Sequence, residues 1–187
     1  MKIGIFVGSF NPVHKGHIKM VKDVLRKNIV DKVIIVPGRN YWDKNNLIDI
    51  KHRINMLEFY ANENIIINKD LNDLPYTYLI MRELQKRYKK DELFLILGAD
   101  NIVNFDKWMN YEELLNYGFI IFNRNNINVK YYLNKLNKTK KVIILSFKGL
   151  YSSTSIRNNI NNLEYLKKIA DIKIINYIKE NKLYIGD

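Results

Sequence analysis

The sequence predicts an α/β fold, a doubly wound parallel sheet followed by a helical tail. Three observations carry this. Short apolar runs rich in β-branched residues recur along the chain, helical segments alternate with them, and the first run leads straight into a glycine-bounded loop and a helix. Strands buried on both faces read as continuous apolar runs. Strand–helix alternation builds right-handed crossovers between parallel strands.

Taken in order, the expected strands are Lys2–Val7, Lys32–Val36, Asn64–Ile67, Glu92–Leu97, Phe119–Phe122 and Lys141–Leu145, each short, apolar and flanked by turn residues. The expected helices are Gly16–Lys27, Ile50–Ala61, Thr77–Tyr88, Tyr111–Leu115 and Val129–Asn137, with two or three more between Ser153 and Lys182. Pro75 and Thr77 suit a helix start. No repeat, low-complexity block or Pro/Gly/Ser linker interrupts the chain, so residues 1–187 are expected to form one domain.

Composition narrows the class. A chain of 187 residues can bury roughly 70% of its unfolded surface and needs no staples. It contains no cysteine, which excludes a disulfide framework and a thiolate zinc site and fits a reducing cytosol. The first apolar run breaks at Gly8, as a buried strand would and a signal peptide would not. No run approaches the ~20 apolar residues that span a bilayer. A cytoplasmic protein without a membrane partner is expected. The net charge of +12 suits an anionic partner, nucleotide phosphate or nucleic acid. The lysines are spread along the whole chain, however, and dispersed charge is weaker evidence than a clustered stripe.

Five segments carry candidate chemistry. The first is Gly8-Ser9-Phe10-Asn11-Pro12-Val13-His14-Lys15-Gly16-His17, directly after the first strand. Gly8 permits a sharp turn, and Gly16 permits close approach of backbone to a ligand. The helix that opens there presents N–H groups and a positive dipole end to an anion. His14 and His17 can donate to phosphate oxygens, most strongly when protonated. A helix cap with two satisfied surface histidines is the plainer alternative. The segment is neither a Walker loop nor GxGxxG, and no third ligand stands out to make a zinc site of the histidines. No protein-bound metal is expected.

The second is Ser152-Ser153-Thr154-Ser155-Ile156-Arg157, with hydroxyls at a helix start and an arginine one turn in. Plain N-capping explains one hydroxyl; hydroxyls, helix N–H groups and a guanidinium fork together make a triphosphate clamp. The third is Leu97-Gly98-Ala99-Asp100-Asn101, where Asp100 can accept from ribose hydroxyls and Gly98 leaves room for adenosine, or Asp100 simply caps a helix. Phe105-Asp106-Lys107-Trp108 and Tyr117 to Arg124 follow. The fourth is Leu74-Pro75-Tyr76-Thr77-Tyr78, and the fifth runs from Tyr41 through Lys44 to Ile48, then Lys51-His52-Arg53 to Met56.

These segments resemble the Rossmann-like nucleotidyltransferases that carry H-x-G-H. The first is similar to their G-x-F-x-P-x-H-x-G-H element and the second to I-S-S-T-x-I-R, with Tyr151 in place of the first Ile. The third, with Trp108 and Arg124, looks like the G-x-D…W…Y-G-x-I-x-x-x-R region of pyridine mononucleotide adenylyltransferases. Tyr76-Thr77 resembles the S-Y-T segment of the bacterial nicotinate enzymes, with Pro75 for Ser. The run from Tyr41 to Met56 follows the nicotinamide type instead, lacking P-P-H-K.

The resemblance implies adenylyl transfer from ATP to nicotinate or nicotinamide mononucleotide, releasing pyrophosphate, in NAD biosynthesis. It implies that His14, His17, Lys44 and Arg157 carry the chemistry. Gly8, Ser9, Phe10, Gly16, Gly98, Asp100, Ser152, Ser153 and Thr154 would bind ATP. Asn11, Tyr76, Thr77, Trp108 and Arg124 would bind the mononucleotide, Trp108 by stacking on the nicotinoyl ring. Magnesium would be held through ATP phosphates, and a homo-oligomer is compatible. Arg53 reads as an ion-paired structural residue. Pantetheine-phosphate adenylyltransferases typically have Thr where His14 stands, and the cytidylyltransferase R-T-x-G-I-S-T-T pattern is absent. A non-catalytic RNA binder would show sheet-face aromatics or a basic cluster; the sequence offers neither, and no nucleic-acid partner is expected.

Overall fold

The structure, a computed structural model, describes residues 1–38, 47–124, 126–138, 141–149 and 151–185. Six strands form one parallel sheet: β1 (Lys2–Gly8), β2 (Lys32–Pro37), β3 (Ile65–Ile67), β4 (Glu92–Gly98), β5 (Gly118–Asn123) and β6 (Val142–Ser146), in the order β3-β2-β1-β4-β5-β6. β1 pairs with β2 from Ile3↔Lys32 to Gly8↔Pro37, and with β4 from Lys2↔Glu92 to Ile5↔Leu95. The crossovers run outward from β1 to β3, then return to β4 and proceed the other way. The chain therefore reverses between β1 and β4, where the loops after both strands flank a crevice.

Nine helices stand among the described residues: α1 (Lys15–Arg26), α2 (Ile50–Glu58), α3 (Thr77–Arg87), α4 (Ala99–Val103), α5 (Tyr111–Leu114), α6 (Val129–Lys135), α7 (Ser153–Asn158), α8 (Leu163–Ile169) and α9 (Ile172–Glu180). The expected elements are all present, shifted by a residue or two at most ends; α2 stops three residues short of Ala61. The sequence reading missed α4 and the 3₁₀ turn Phe105–Lys107. Their few residues are too short to display a helical period.

Side-chain alternation along the strands splits the core in two. Ile3, Ile5, Ile34, Leu95, Phe119 and Ile121 face α3, α4 and α6. Phe6, Val33, Ile35, Ile96, Ile120 and Phe122 face α1, α2 and the helices from α7 onward. Burying both faces stabilises the sheet by roughly 25 cal/mol per Å² of apolar surface removed from water. Its stiffness fixes the strand ends, and so the positions of the loops that rise from them.

Candidate active site

Two loops and two helix starts meet at the carboxyl edge of the sheet. A cavity of about 400 Å³ lies there, lined by Gly8, His14, His17, Asp100, Arg124 and Tyr151 among others. His14 is the N-cap of α1. Its ring Nδ1 accepts the His17 backbone N–H at 3.2 Å, and His17 Nδ1 accepts the His14 N–H at 3.3 Å. The two rings stack at 3.6 Å between centroids. This reciprocal cap uses both Nδ1 lone pairs, so each neutral ring carries its proton on Nε2 as a donor. The cap and the candidate binding element are thus the same residues.

The environment corrects one expectation. Burial pushes the His14 pKa down to about 4, and Arg124 contributes in the same direction. Burial, then His14 and Arg124, hold His17 well below the ordinary value. Both rings are neutral donors at neutral pH, not imidazolium ions. Positive charge at the cavity comes instead from Arg124, whose Nη2 lies 3.1 Å from Asp100 Oδ2.

The hydroxyl-rich segment docks on the first loop, as convergence at one sheet edge requires. Ser152 caps α7 by accepting from the Ser155 N–H, Ser153 Oγ donates to the Pro12 carbonyl at 2.8 Å, and Arg157 Nη1 donates to the Asn11 carbonyl at 2.7 Å. Arg157 Nη2 reaches Thr154 Oγ1 at 3.3 Å. Ser152 and Ser153 line the cavity; Thr154 is exposed. Arg157 and Ser153 thereby brace the loop as well as standing at its edge.

Glycine at 16 answers to a protein neighbour: a Cβ there would lie 2.6 Å from Tyr151 Cβ. The Tyr151 ring also stacks on His14, with centroids 6.1 Å apart. At Gly98 the space is taken by Asp100, whose Oδ1 would lie 2.5 Å from an added Cβ. Phe10, buried at φ +47°, packs edge-on against both Phe6 and His17. Ser9 and Phe10 line the same cavity.

Other expected residues stand apart from the histidines. Tyr76 is the N-cap of α3 with no side-chain cap hydrogen bond, and Thr77 is the first helical residue. Trp108 follows the 3₁₀ turn and packs on Phe105 with centroids 5.0 Å apart. Neither group is part of the described lining of the histidine cavity. Lys44, with Tyr41, Trp42 and Asp43, lies outside the described residues. Arg53 is structural as expected, but its described partners are carbonyls rather than a carboxylate. It donates to Ser9 and Gly38 at 2.8 Å and to Ile48 at 3.2 Å, tying the loops after β1 and β2 together.

Sequence reasoning missed Tyr151 and Tyr184 as parts of the site. Tyr151 directly precedes the Ser152–Arg157 segment, which signals its position but not its packing. Tyr184 is brought in only by the fold, where its hydroxyl meets Asn11 Oδ1.

Among the described residues no group of three or more His, Asp or Glu could hold a metal ion. No described helix is long and apolar enough to cross a membrane.

At the switch point of the parallel sheet, paired Nε2 donors thus stand beside an arginine and a hydroxyl-capped helix. The family described as Cytidylyltransferase-like matches residues 5–159. A Fusobacterium nucleatum protein named "Probable nicotinate-nucleotide adenylyltransferase" is 36% identical, covering 96% of this chain and 98% of its own length. One of that name from Acholeplasma laidlawii is 35% identical over 96% of each chain. The nicotinic acid mononucleotide adenylyltransferase of Plasmodium falciparum, solved with NaAD, has the same fold, with a TM-score of 0.84, 24% identity, and coverage of 100% of this chain and 98% of that one. The chain belongs to the cytidylyltransferase-like family and, within it, to the nicotinate-nucleotide adenylyltransferases.

Proposed function

We propose that the protein transfers the adenylyl group of ATP to nicotinate mononucleotide, releasing pyrophosphate and the dinucleotide. The observation that carries this is the His14–His17 pair, capped on itself at the switch point with both Nε2 donors left to a ligand, in a chain of this family.

The mononucleotide phosphate attacks the α-phosphorus in line, so no side chain need serve as a nucleophile. Catalysis is positioning plus stabilisation of spreading charge. His17 donates to the α/β phosphates and to the developing charge at phosphorus, with His14 beside it. Preorganised donors in a dry site need no reorganisation when charge develops. Ser152, Ser153, Thr154 and Arg157 border the β/γ end, and Lys44 bridges the phosphates. Asp100 accepts from ribose hydroxyls, with Gly8, Ser9, Phe10, Gly16 and Gly98 shaping the ATP side. Arg124, Asn11, Tyr76, Thr77 and Trp108 receive the mononucleotide.

Magnesium would supply charge neutralisation of the triphosphate, held through ATP rather than by the described side chains. The residues fit that mode better than a protein cage, because the cavity's described carboxylate, Asp100, is paired with Arg124.

Preference for the nicotinate form rests on the start of α3, where Tyr76 and Thr77 can supply a backbone N–H and a hydroxyl. A helix N-terminus favours a carboxylate over a neutral amide, and charge-assisted hydrogen bonds are roughly twice as strong as neutral ones. Purified protein with ATP, magnesium and each mononucleotide, assayed for pyrophosphate and dinucleotide, tests the reading. Turnover with a higher kcat/KM for nicotinate mononucleotide is expected. Turnover with neither refutes the reaction; a ratio at or below one refutes the pyridine preference alone.

A further inference from the structure

The segment after α9 returns to the site from the far end of the chain. Leu183 is buried in the core on the α1 side, and Tyr184 follows with its backbone at φ +61°. That left-handed conformation is uncommon for a bulky residue, and such residues persist where surrounding structure fixes them. Here it turns the ring inward. The Tyr184 hydroxyl lies 2.9 Å from Asn11 Oδ1, which also faces the Ile48 backbone N–H at 3.4 Å. Asn11 is buried, and its own carbonyl accepts Arg157 Nη1.

We propose that Tyr184 is a positioning residue of the active site, acting through Asn11. Its hydroxyl donates to Asn11 Oδ1 and, with the Ile48 N–H, fixes which edge of that amide is the acceptor. The amide nitrogen is thereby set as the edge that donates, and the loop between Phe10 and His14 is held at a fixed height over the sheet. Asn11 lies three residues before His14, so a shift of this loop moves the N-cap of α1 and both imidazoles with it. Burial raises the Tyr184 phenol well above its ordinary pKa, so the hydroxyl remains a donor across the working pH range. Because Asn11 is the residue held, and is the one expected on the mononucleotide side, the effect should fall on mononucleotide binding more than on ATP binding. This assignment rests on the adenylyltransferase reading above.

Tyr184→Phe removes the hydroxyl and keeps the ring. With the nucleotide pair that wild type turns over, kcat/KM for the mononucleotide should fall on the order of tenfold while the KM for ATP changes less than about twofold, since small misplacements of reacting groups are costly. In an Asn11→Ala background the same change should have no further effect, because partners in one hydrogen-bond network are not additive. Amide hydrogen exchange is the readout that does not need turnover. Residues 9–17 should exchange faster in Tyr184→Phe while β4 is unchanged. Unaltered exchange in that loop overturns the inference whatever the substrate proves to be. So do wild-type kinetics from a correctly folded variant, or a full additional loss in the Asn11→Ala background. Failure of wild type to turn over either mononucleotide would instead overturn the reaction and leave the exchange test to decide the role of Tyr184.

Discussion

Protons should compete with the fold through the histidine pair. His14 has its pKa held near 4 in the folded protein, against an ordinary value of 6.5. The unfolded chain therefore binds protons that the folded one refuses. The stability attached to neutral His14 is fully present above pH 6.5 and is lost as the pH falls through that value toward 4. Between pH 7 and pH 5 the loss from this one group is about 2 kcal/mol, from 1.36 kcal/mol per pKa unit and the two protonation curves. His17 is shifted in the same direction and adds to the slope. That is a large part of a stability that is typically 5–15 kcal/mol. His14→Asn is the discriminating variant. Its side-chain oxygen can still accept the His17 N–H as an N-cap, but it does not titrate. Urea unfolding at pH 7, 6 and 5 should show the variant losing about 2 kcal/mol less than wild type over that range. Groups away from the pair titrate alike in both proteins and cancel in the difference; His17, whose own depression His14 deepens, only widens it. Parallel curves would mean that His14 gains its proton as readily folded as unfolded, and the neutral-donor description of the site would be wrong.

Removing His17 as His17→Ala deletes one preorganised donor, for which a loss of at least ~100-fold in kcat, or roughly 3 kcal/mol, is expected; steady-state turnover within threefold of wild type would make it structural only. Gly16→Ala should destabilise the protein by about 1–3 kcal/mol, because the new Cβ would sit 2.6 Å from Tyr151 Cβ. Thermal unfolding would read this, and Tyr151→Ala in the same chain should recover part of the loss. Thr77→Val should lower the ratio of kcat/KM for nicotinate over nicotinamide mononucleotide while leaving the KM for ATP unchanged, as measured with both mononucleotides competing in one assay.

The sequence by itself determined the architecture. The four inner strands are short apolar runs because both of their faces are covered, so β1, β2, β4 and β5 were legible to within a residue at each end. It also marked out the candidate phosphate-binding element, since glycines, histidines and a strand–helix junction are contiguous from Gly8 to His17. Convergence of Ser152–Arg157 on that loop followed from both segments ending at the carboxyl edge of a parallel sheet. The tertiary structure decided the rest, because it depends on what surrounds a side chain rather than on the side chain's type. The neutral state of the histidines comes from burial beside Arg124. The need for glycine at 16 comes from Tyr151, and the role of Arg53 from three carbonyls on the two loops after β1 and β2. The contact between Tyr184 and Asn11 spans 173 positions. No local pattern encodes a pairing of that kind: it exists only because α9 packs against the core and delivers the following segment to the loop after β1.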